Sequence, residues 1–435
     1  MKSKLSPMLV ALLVTACSAG SSTSSGTPGG SGGGGTDATG GATPGGSGPG
    51  GATSGGGGTG AGFIGTGGAT GNCNDPDADN DQDGFTIEEG DCNDCDPLTN
   101  PGAIEFVGPA EGGAGGGGGG SGGNGEGGYI PVDENCDGEA DEAPPPPCDD
   151  LLALNSSDPL DAARAIDICK LAAGPKDWGL VAAQYVRANG GMATVNGQMG
   201  LLQNFGPNVP PLRGSSLLGL SSGFARLPGQ PGACTNISCT RGSGNPSSGP
   251  PGFPQAVPGC IVDNEINDDV GLELTLRAPT NATGYRFNFK FTSFEYPEFV
   301  CTSFNDQFIA FVNPPPMGAQ DGNIAFDSMG NPVSVNIAFF DVCANCTDAE
   351  CMACMVNADQ LLGTGFDTGF GGFPNDAGGT SWLQTQAPVA GGSSFSIRFA
   401  IFDVGDTAYD STAVIDHFDW IADGGEVPIE TVPVE

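Results

Sequence analysis

Residues 285–291 read YRFNFKF, and this heptapeptide decides the fold class. Three aromatic residues alternate in it with three polar ones: Phe287, Phe289 and Phe291 with Arg286, Asn288 and Lys290. Successive side chains of a β-strand point to opposite faces of the sheet, so a period of two places all three rings on one face. The stretch therefore predicts a strand that buries its aromatic face in a core.

The same alternation returns in residues 271–277 and 395–402. Three further apolar runs lie at residues 307–312, 333–340 and 413–420. Gly, Pro, Asn and Asp separate these runs, which is typical of strands joined by tight turns. The pattern predicts a mainly β fold whose head is an antiparallel β-sandwich or jelly roll.

A short helix is predicted in front of these strands. Asp158-Pro159 is a typical helix start, and apolar residues continue as far as Leu171. Four consecutive prolines at residues 144–147 precede it and form a stiff, extended joint. We therefore place the head at residues 144–435, which is long enough for a substantial core.

The charge balance excludes several classes of partner. The chain has 51 acidic and 13 basic residues, and its formal net charge is −38. Such a chain repels phosphate backbones, so nucleic acid is not an expected partner. The only histidine, His417, excludes metal sites built from several histidines, and we interpret it as an ordinary structural residue.

The N-terminus carries an export signal. Residues 1–16 contain Lys2 and Lys4, an apolar run and then small residues, as secretory signals do. The segment Leu13–Cys17 resembles the bacterial lipobox. That resemblance implies cleavage before Cys17, lipidation of Cys17 and, because Ser18 follows, an outer-membrane location. An ordinary secretory signal with an incidental cysteine is the alternative.

Residues 17–71 are predicted to be a disordered tether. They consist almost wholly of Gly, Ser, Thr, Ala and Pro, and such a chain buries too little apolar surface to offset its ordering entropy. Its typical reach is about 40 Å. We expect it to hold the folded part away from the lipid surface.

The Asp-rich segment, residues 72–143, is the most informative part of the chain. Residues 72–142 hold 19 acidic residues and no basic one, so their charges repel unless cations neutralise them. Residues 79–84 read DNDQDG, in which alternate side-chain oxygens can converge on one hard cation and Gly84 permits the sharp turn. The alternative is a disordered acidic spacer.

Three later runs extend this pattern: GDCNDCD at residues 90–96, PGAIE at 101–105 and NCDGEADE at 135–142. The whole order resembles the Asp-rich metal-binding motif of bacterial surface proteins and, more distantly, thrombospondin type 3 repeats. The resemblance and the hard oxygen donors together predict two Ca²⁺ ions. The first would be bound by Asp79, Asp81, Asp83, the Phe85 carbonyl and Asp91. The second would be bound by Asn93, Asp96, Asn135, Asp137 and Asp141.

Fourteen cysteines remain after Cys17, and in an exported protein disulfides are the default expectation. Four of them would staple the Asp-rich segment, with the pairs left open: Cys73, Cys92, Cys95 and Cys136. Cys148 and Cys169 are candidates to clasp the predicted helix. Residues 343–354 contain a CxxC-x4-CxxC motif, which we interpret as two disulfides, with a zinc site as the alternative.

Several phrases of the head resemble the choice-of-anchor L domain of bacterial surface proteins, over roughly residues 180–420. They lie at residues 267–270, 295–300, 305–306, 378–383 and 399–418. The resemblance implies a module displayed at the cell surface on varying anchors. It offers no catalytic residues.

Two functions follow as hypotheses. The first is a calcium-binding surface lipoprotein that is structural or adhesive, without catalysis, and whose partner is an extracellular glycan or matrix component. The second is an extracellular glycan-acting hydrolase that uses paired carboxylates. Its candidates are Asp263, Glu265, Glu295 and Glu298. Residues 219–223 fit G-x-S-x-G, but we expect no strand before them and no helix after them, so they do not predict a nucleophile elbow.

Overall fold

The computed structural model describes the chain from Cys73 onwards, with gaps. The described ranges are 73–106, 131–194, 197–234, 238–239, 247–337, 339–343, 358–367 and 377–434. The predicted signal, Cys17 and the tether lie outside them, as does most of the CxxC-x4-CxxC motif. All described residues belong to one compact unit.

Thirteen β-strands within these ranges form two antiparallel sheets. The strands are β1 (Gly179–Val186), β2 (Met199–Leu202), β3 (Leu217–Ser221), β4 (Ile266–Arg277), β5 (Gly284–Ser293), β6 (Gln307–Asn313), β7 (Val333–Ser334), β8 (Phe340–Cys343), β9 (Gly378–Thr380), β10 (Leu383–Pro388), β11 (Ser394–Val404), β12 (Ser411–Ile421) and β13 (Glu430–Pro433). One sheet has the order β1-β4-β11-β6-β7. In the other, β13-β10-β5-β12-β3-β2 run side by side, and β9 pairs with both β5 and β8.

The hydrophobic core lies between the two sheets. The ring of Phe287 on β5 meets that of Phe399 on β11 edge to face, with ring centroids 4.8 Å apart. Phe289 on β5 packs against Phe308 on β6 at the same centroid distance. All four rings are fully buried, and each pair joins one sheet to the other. The β-sandwich that the sequence predicts is confirmed.

Five of the six predicted apolar stretches lie in strands, namely β4, β5, β6, β11 and β12. The stretch at residues 333–340 is the exception. Its first two residues pair as β7 and its last, Phe340, begins β8, while the Ile337 N–H between them donates to the Ser334 carbonyl at 3.1 Å, which closes a turn. Val335 and Ile337 are buried within that turn, so the apolar run reflects burial rather than strand pairing.

The predicted helix exists but is shorter than expected. It forms α1, Pro159–Arg164, and the Asp158 side chain caps it by accepting from the Leu160 N–H. Asp167 adopts a left-handed backbone with a φ of 69°. The Ile168 N–H then donates back to the Ala163 carbonyl, as in a Schellman motif, and the helix ends before it reaches Leu171. Among the described residues no helix is long and apolar enough to cross a bilayer.

Disulfides replace a core in the Asp-rich segment. Cys73 pairs with Cys95, and Cys92 pairs with Cys136 across the Gly-rich stretch between the two halves of the segment. The Phe106 N–H also donates to Glu134 Oε2 at 3.3 Å, so both flanks of that stretch lie together. In the head, the described disulfides are Cys148–Cys169, Cys234–Cys239 and Cys260–Cys301. Cys343 is also disulfide-bonded.

The Asp-rich segment is attached to the head by hydrogen bonds. The Asn281 side chain accepts from the Ile104 N–H at 3.0 Å and donates to the Ile104 carbonyl at 2.7 Å. The Thr280 N–H donates to the Gly102 carbonyl at 2.9 Å. Asn281 is buried, so this backbone clamp is shielded from water and fixes the segment against the loop between β4 and β5.

Candidate metal centre

The DNDQDG loop folds around its first aspartate. Asp79 accepts the Gln82 N–H at 2.7 Å and the Gly84 N–H at 3.1 Å, one on each carboxylate oxygen. Gly84 has a φ of 100°, a conformation that residues with a Cβ rarely adopt. The turn that the sequence predicts at this glycine is present, and it brings the alternate carboxylates to one side.

Two overlapping groups of carboxylates result. Ligand atoms of Asp79, Asp81 and Asp83 all lie within 4.8 Å of one another, and the same holds for Asp81, Asp91 and Asp94. Asp81 belongs to both groups. Four of the five residues predicted to bind the first ion therefore lie in these groups. Asp79 and Asp91 belong to different groups, which share Asp81. Oxygen atoms at this spacing can share one hard cation.

Three oxygens in these groups are buried without a hydrogen-bond partner, namely the Oδ2 atoms of Asp81, Asp83 and Asp91. The other oxygen of each accepts a backbone N–H two residues further on. A buried carboxylate oxygen that no donor satisfies is costly, whereas a cation would satisfy it. The donor set thus fits Ca²⁺, which takes carboxylate and carbonyl oxygens.

The electrostatics agree with this interpretation. Burial raises the pKa of Asp81 to about 6, and neighbouring Asp91, Asp79 and Asp94 raise it further. Burial likewise raises the pKa of Asp83 to about 7. The pKa of Asp91 is also raised, first by burial and then by Asp94. Each carboxylate resists ionisation in this place unless positive charge compensates it.

Asp94 is a site residue that sequence reasoning missed. It is 2% exposed, and Asn80 donates to it through both its backbone N–H, at 2.8 Å, and its side-chain amide, at 2.5 Å. These bonds hold its carboxylate against the DNDQDG loop. The signal available in the sequence is the spacing Asp91-x-x-Asp94, whereas the neighbouring Asn93 and Asp96 are predicted to bind the second ion.

The predicted second-ion residues are spread more widely. Asp137 is exposed, and Asp141 and Asn135 both donate backbone N–H groups to Glu105, at 2.8 Å and 3.1 Å. In the described part of the chain, Asp96, Asp137 and Asp141 form no three-carboxylate group of the kind found in the first site. The Cys92–Cys136 disulfide nevertheless places the loop that carries Asn93 beside that of Asn135. Glu105 is the residue that holds the 135–141 loop in place through these two hydrogen bonds. Burial raises its pKa to about 7.

A groove of about 820 Å³ opens where the Asp-rich segment meets the head. Its walls contain the aromatic residues Phe106, Trp178 and Trp420, and the charged residues Glu105, Asp167 and Arg286. Lys170 lies over the Trp178 ring, 4.7 Å from its centroid. Aromatic faces beside charged and hydrogen-bonding groups are suited to binding a polar organic ligand.

The carboxylates proposed for hydrolysis do not line this groove. Asp263, Glu265 and Glu298 are exposed, whereas Glu295 is 1% exposed. Glu295 is therefore separated from solvent, unlike the other three. His417 lies in β12 and is half-buried, and burial lowers its pKa.

The G-x-S-x-G motif is structural. The expectation that no strand precedes it is wrong, because its first three residues end β3. Ser221 is 1% exposed, and its hydroxyl donates to the Ser411 carbonyl at 2.9 Å. No helix follows in residues 222–234, so the strand-turn-helix geometry of a nucleophile elbow is missing there.

Comparison with known families and proteins gives one match. Residues 220–417 match the family model of the Choice-of-anchor L domain. Comparison with curated proteins and with solved structures finds no match. The resemblance expected from the sequence is thus confirmed for this part of the head, and it favours a surface-associated, non-catalytic module.

Proposed function

We propose that this protein is a calcium-binding lipoprotein of the bacterial cell surface, structural or adhesive rather than catalytic. Cys17 would carry the lipid anchor in the outer membrane, and residues 17–71 would tether the folded part to it. The observation that supports calcium binding most directly is the set of buried, unpaired carboxylate oxygens on Asp81, Asp83 and Asp91.

Ca²⁺ in this loop would neutralise mutually repelling carboxylates and join two loops. Asp79, Asp81 and Asp83 would supply one side of the ion, Asp91 and Asp94 the other, and the Phe85 carbonyl would complete the set. Carboxylates in both overlapping groups contribute. The chain would then fold here around an ion instead of an apolar core.

A second ion, bound by Asn93, Asp96, Asn135, Asp137 and Asp141, remains part of the proposal. Its support is the disulfide that joins their two loops. Glu105 would orient the site, because it already holds two backbone N–H groups of the second loop.

Isothermal titration of the full chain with CaCl₂ tests calcium binding. Asp83→Asn removes one ligand and should weaken the first site about tenfold or more, because ligand charge sets affinity in such loops. Asp77→Asn is the matched control, since Asp77 is exposed and belongs to neither carboxylate group. No heat of binding in the wild type, or equal affinities for all three proteins, would reject the loop as a calcium site.

The groove supports a binding role for the head. Sugar rings can stack on Trp420 and on the face of Trp178 opposite Lys170, and Arg286 and Asp167 offer polar contacts. A glycan and matrix array probed with the full chain, with and without Ca²⁺, tests this role. Trp178→Ala should abolish any specific signal, whereas Trp382→Ala, outside the groove lining, should leave it unchanged.

Glycan hydrolysis is the second candidate function, and the same groove is the observation that favours it. Asp167 lies there beside aromatic residues, and burial raises its pKa to about 6, as a general acid requires. Release of new reducing ends from a bound glycan, lost in Asp167→Asn, would establish it. Binding without turnover would reject it.

A further inference from the structure

The groove beside Trp178 is built from two parts of the chain. Its lining includes residues of the Asp-rich segment, in the ranges 101–106 and 135–142, and residues of the head, among them Trp178 and Trp420. Among the described residues, no strand pairing joins the segment to the head. The shape of the groove therefore depends on how firmly the segment is held against the head.

The DNDQDG loop reaches both walls of the groove through the residue that follows it, Phe85. The Phe85 ring is buried, and Lys176 Nζ lies 5.1 Å from its centroid. Lys176 is two residues before Trp178, so this contact reaches the loop that carries the groove tryptophan. On the other wall, a Cβ on Gly102 would lie 3.0 Å from the Phe85 ring, so the ring packs directly on the backbone there. The residues on both sides of Gly102 line the groove.

A second contact runs through Glu89, at the end of the short turn after Phe85. Its Oε2 accepts the Thr86 N–H at 3.2 Å, and its Oε1 accepts Lys176 Nζ at 2.6 Å. One carboxylate thus joins the turn behind the DNDQDG loop to the loop of Trp178. Both side chains of this ion pair are about half exposed, and an exposed pair adds little stability. Its importance lies in the connection that it makes.

A third contact runs through Asn100, which is fully buried. The Asn100 side chain lies next to the Asp83 carboxylate. Its oxygen accepts the Thr280 hydroxyl at 2.7 Å and the Gly102 N–H at 2.9 Å. Asp83 is a proposed calcium ligand, Thr280 belongs to the head and Gly102 lies in the segment wall of the groove. A single buried side chain therefore touches all three.

These contacts make the position of the segment sensitive to charge. Without an ion, the carboxylates of the DNDQDG loop repel one another, and no apolar core of the segment opposes their separation. With an ion, the repulsion is neutralised, and Phe85, Glu89 and Asn100 are held in place against the head. An ion that favours one arrangement of the segment also favours the groove that this arrangement forms.

We propose that calcium bound by the DNDQDG loop regulates the groove, raising its affinity for a ligand by fixing the segment wall and the loop of Trp178. This regulation rests on the calcium binding and the groove binding proposed above, and it adds the coupling between them. Coupling of two binding sites is reciprocal, so a ligand in the groove would tighten calcium binding by the same factor. Couplings of this kind usually change affinities about 5- to 150-fold.

Two of the three tryptophans report on the groove directly. Trp178 and Trp420 line it and are half-buried, whereas Trp382 does not line it. The test uses the full chain with Trp382→Phe as the parent protein, so that all tryptophan fluorescence comes from the groove. Quenching by acrylamide is measured during a titration with CaCl₂, and the heat of calcium binding is measured on the same protein. Calcium should lower the quenching constant, because a firmly held segment covers the two rings.

A double variant of this parent separates coupling from calcium binding. Lys176→Gln with Thr280→Val removes two side-chain contacts between head and segment but none of the proposed ligands. It should bind calcium with the heat of the parent protein and lose most of the quenching response. Arg164→Gln is the matched control for charge, because Arg164 is also exposed and ion-paired, with Asp161, but does not line the groove. It should keep the full response.

Asp83→Asn tests whether the DNDQDG loop is the responsible site. Because ligand charge sets affinity in such loops, the response should reach its midpoint at about tenfold higher calcium than in the parent protein. An unshifted midpoint, or a full response in the double variant, would overturn the proposal. Heat of binding with an unchanged or raised quenching constant in the parent would also overturn it, while the calcium site would stand. Absence of any heat of binding would reject the calcium site itself, and the regulation with it.

Discussion

Replacing Asp81 by Asn should stabilise the protein in chelator and remove most of its response to calcium. Asp81 is the shared member of both carboxylate groups, so four other carboxylates have ligand atoms within 4.8 Å of its own. Asn keeps the acceptor for the Asp83 N–H, which Asp81 Oδ1 provides at 3.2 Å. The substitution therefore removes charge while the local hydrogen bond persists.

The size of the effect follows from Coulomb's law. At 4.8 Å two carboxylates repel by about 0.9 kcal/mol in a water-like dielectric and by about 3.5 kcal/mol at an effective dielectric constant of 20. Asp81 is partly exposed, so the lower value applies to each of its four neighbours. After allowance for repulsion that persists in the unfolded chain, the free energy of unfolding in chelator should rise by roughly 2 kcal/mol.

Added calcium should stabilise the wild type more than it stabilises Asp81→Asn. An ion at 100 times its dissociation constant stabilises the wild type by about 2.7 kcal/mol. In Asp81→Asn this gain should fall below about 1 kcal/mol, because the residue common to both groups is lost. The stability advantage of the variant in chelator should therefore disappear when calcium is added.

Urea unfolding followed by tryptophan fluorescence at pH 8, in EGTA and in CaCl₂, measures both effects. Urea is preferred to guanidinium chloride, whose ions would screen the repulsion. Asp77→Asn, which removes an exposed charge outside both groups, should change neither value by more than about 0.5 kcal/mol. If Asp81→Asn is less stable than the wild type in EGTA, or keeps the full calcium response, the electrostatic reasoning is refuted.

Three other predictions concern the structure that supports these sites. Asn281→Ala removes both hydrogen bonds to Ile104. It should weaken the attachment of the Asp-rich segment to the head by about 1–3 kcal/mol, which faster proteolysis within residues 73–106 would detect. An unchanged cleavage rate would count against the clamp. The pKa of Asp416, raised to about 7 by burial, lies above its ordinary 3.8, so its contribution to stability is greatest below pH 4 and is lost as pH rises through 7. Asp416→Asn should flatten that decline by up to about 4 kcal/mol, and an unaltered pH profile would contradict this. A double-mutant cycle of Phe287→Leu and Phe399→Leu should give a coupling energy of about 0.5–1.5 kcal/mol in denaturant titrations, and additive effects would argue against direct ring contact.

The strands predicted from the sequence are those whose own residues show an apolar alternation or a long apolar run. β5 and β11 alternate apolar with polar residues, and this periodicity is local information, although Asn288 and Lys290 of β5 are buried as well. β2 and β3 were missed because they are short, with four and five residues, and each contains a glycine that weakens strand propensity. The glycine at position 200 is required by a tertiary contact, because a Cβ there would lie 1.9 Å from the Arg226 guanidinium.

The carboxylates of the DNDQDG loop and the buried carboxylates of the head differ in the same way. Asp79, Asp81 and Asp83 are close in sequence, so their spacing alone predicts a common ligand. Asp306 and Asp403 are almost a hundred residues apart and meet only because β6 pairs with β11. A single sequence carries no local signal for such a meeting, and strand register had to supply it.

The hydrogen bond between Phe106 and Glu134 has a practical consequence for engineering. It holds together the two ends of the Gly-rich stretch at residues 107–130, and the Cys92–Cys136 disulfide reinforces the junction. Closing a longer loop between fixed ends costs only about 0.6 kcal/mol per doubling of its length. This position should accept an epitope tag or a fluorescent protein, which would report where the molecule lies in the cell envelope without altering the DNDQDG loop.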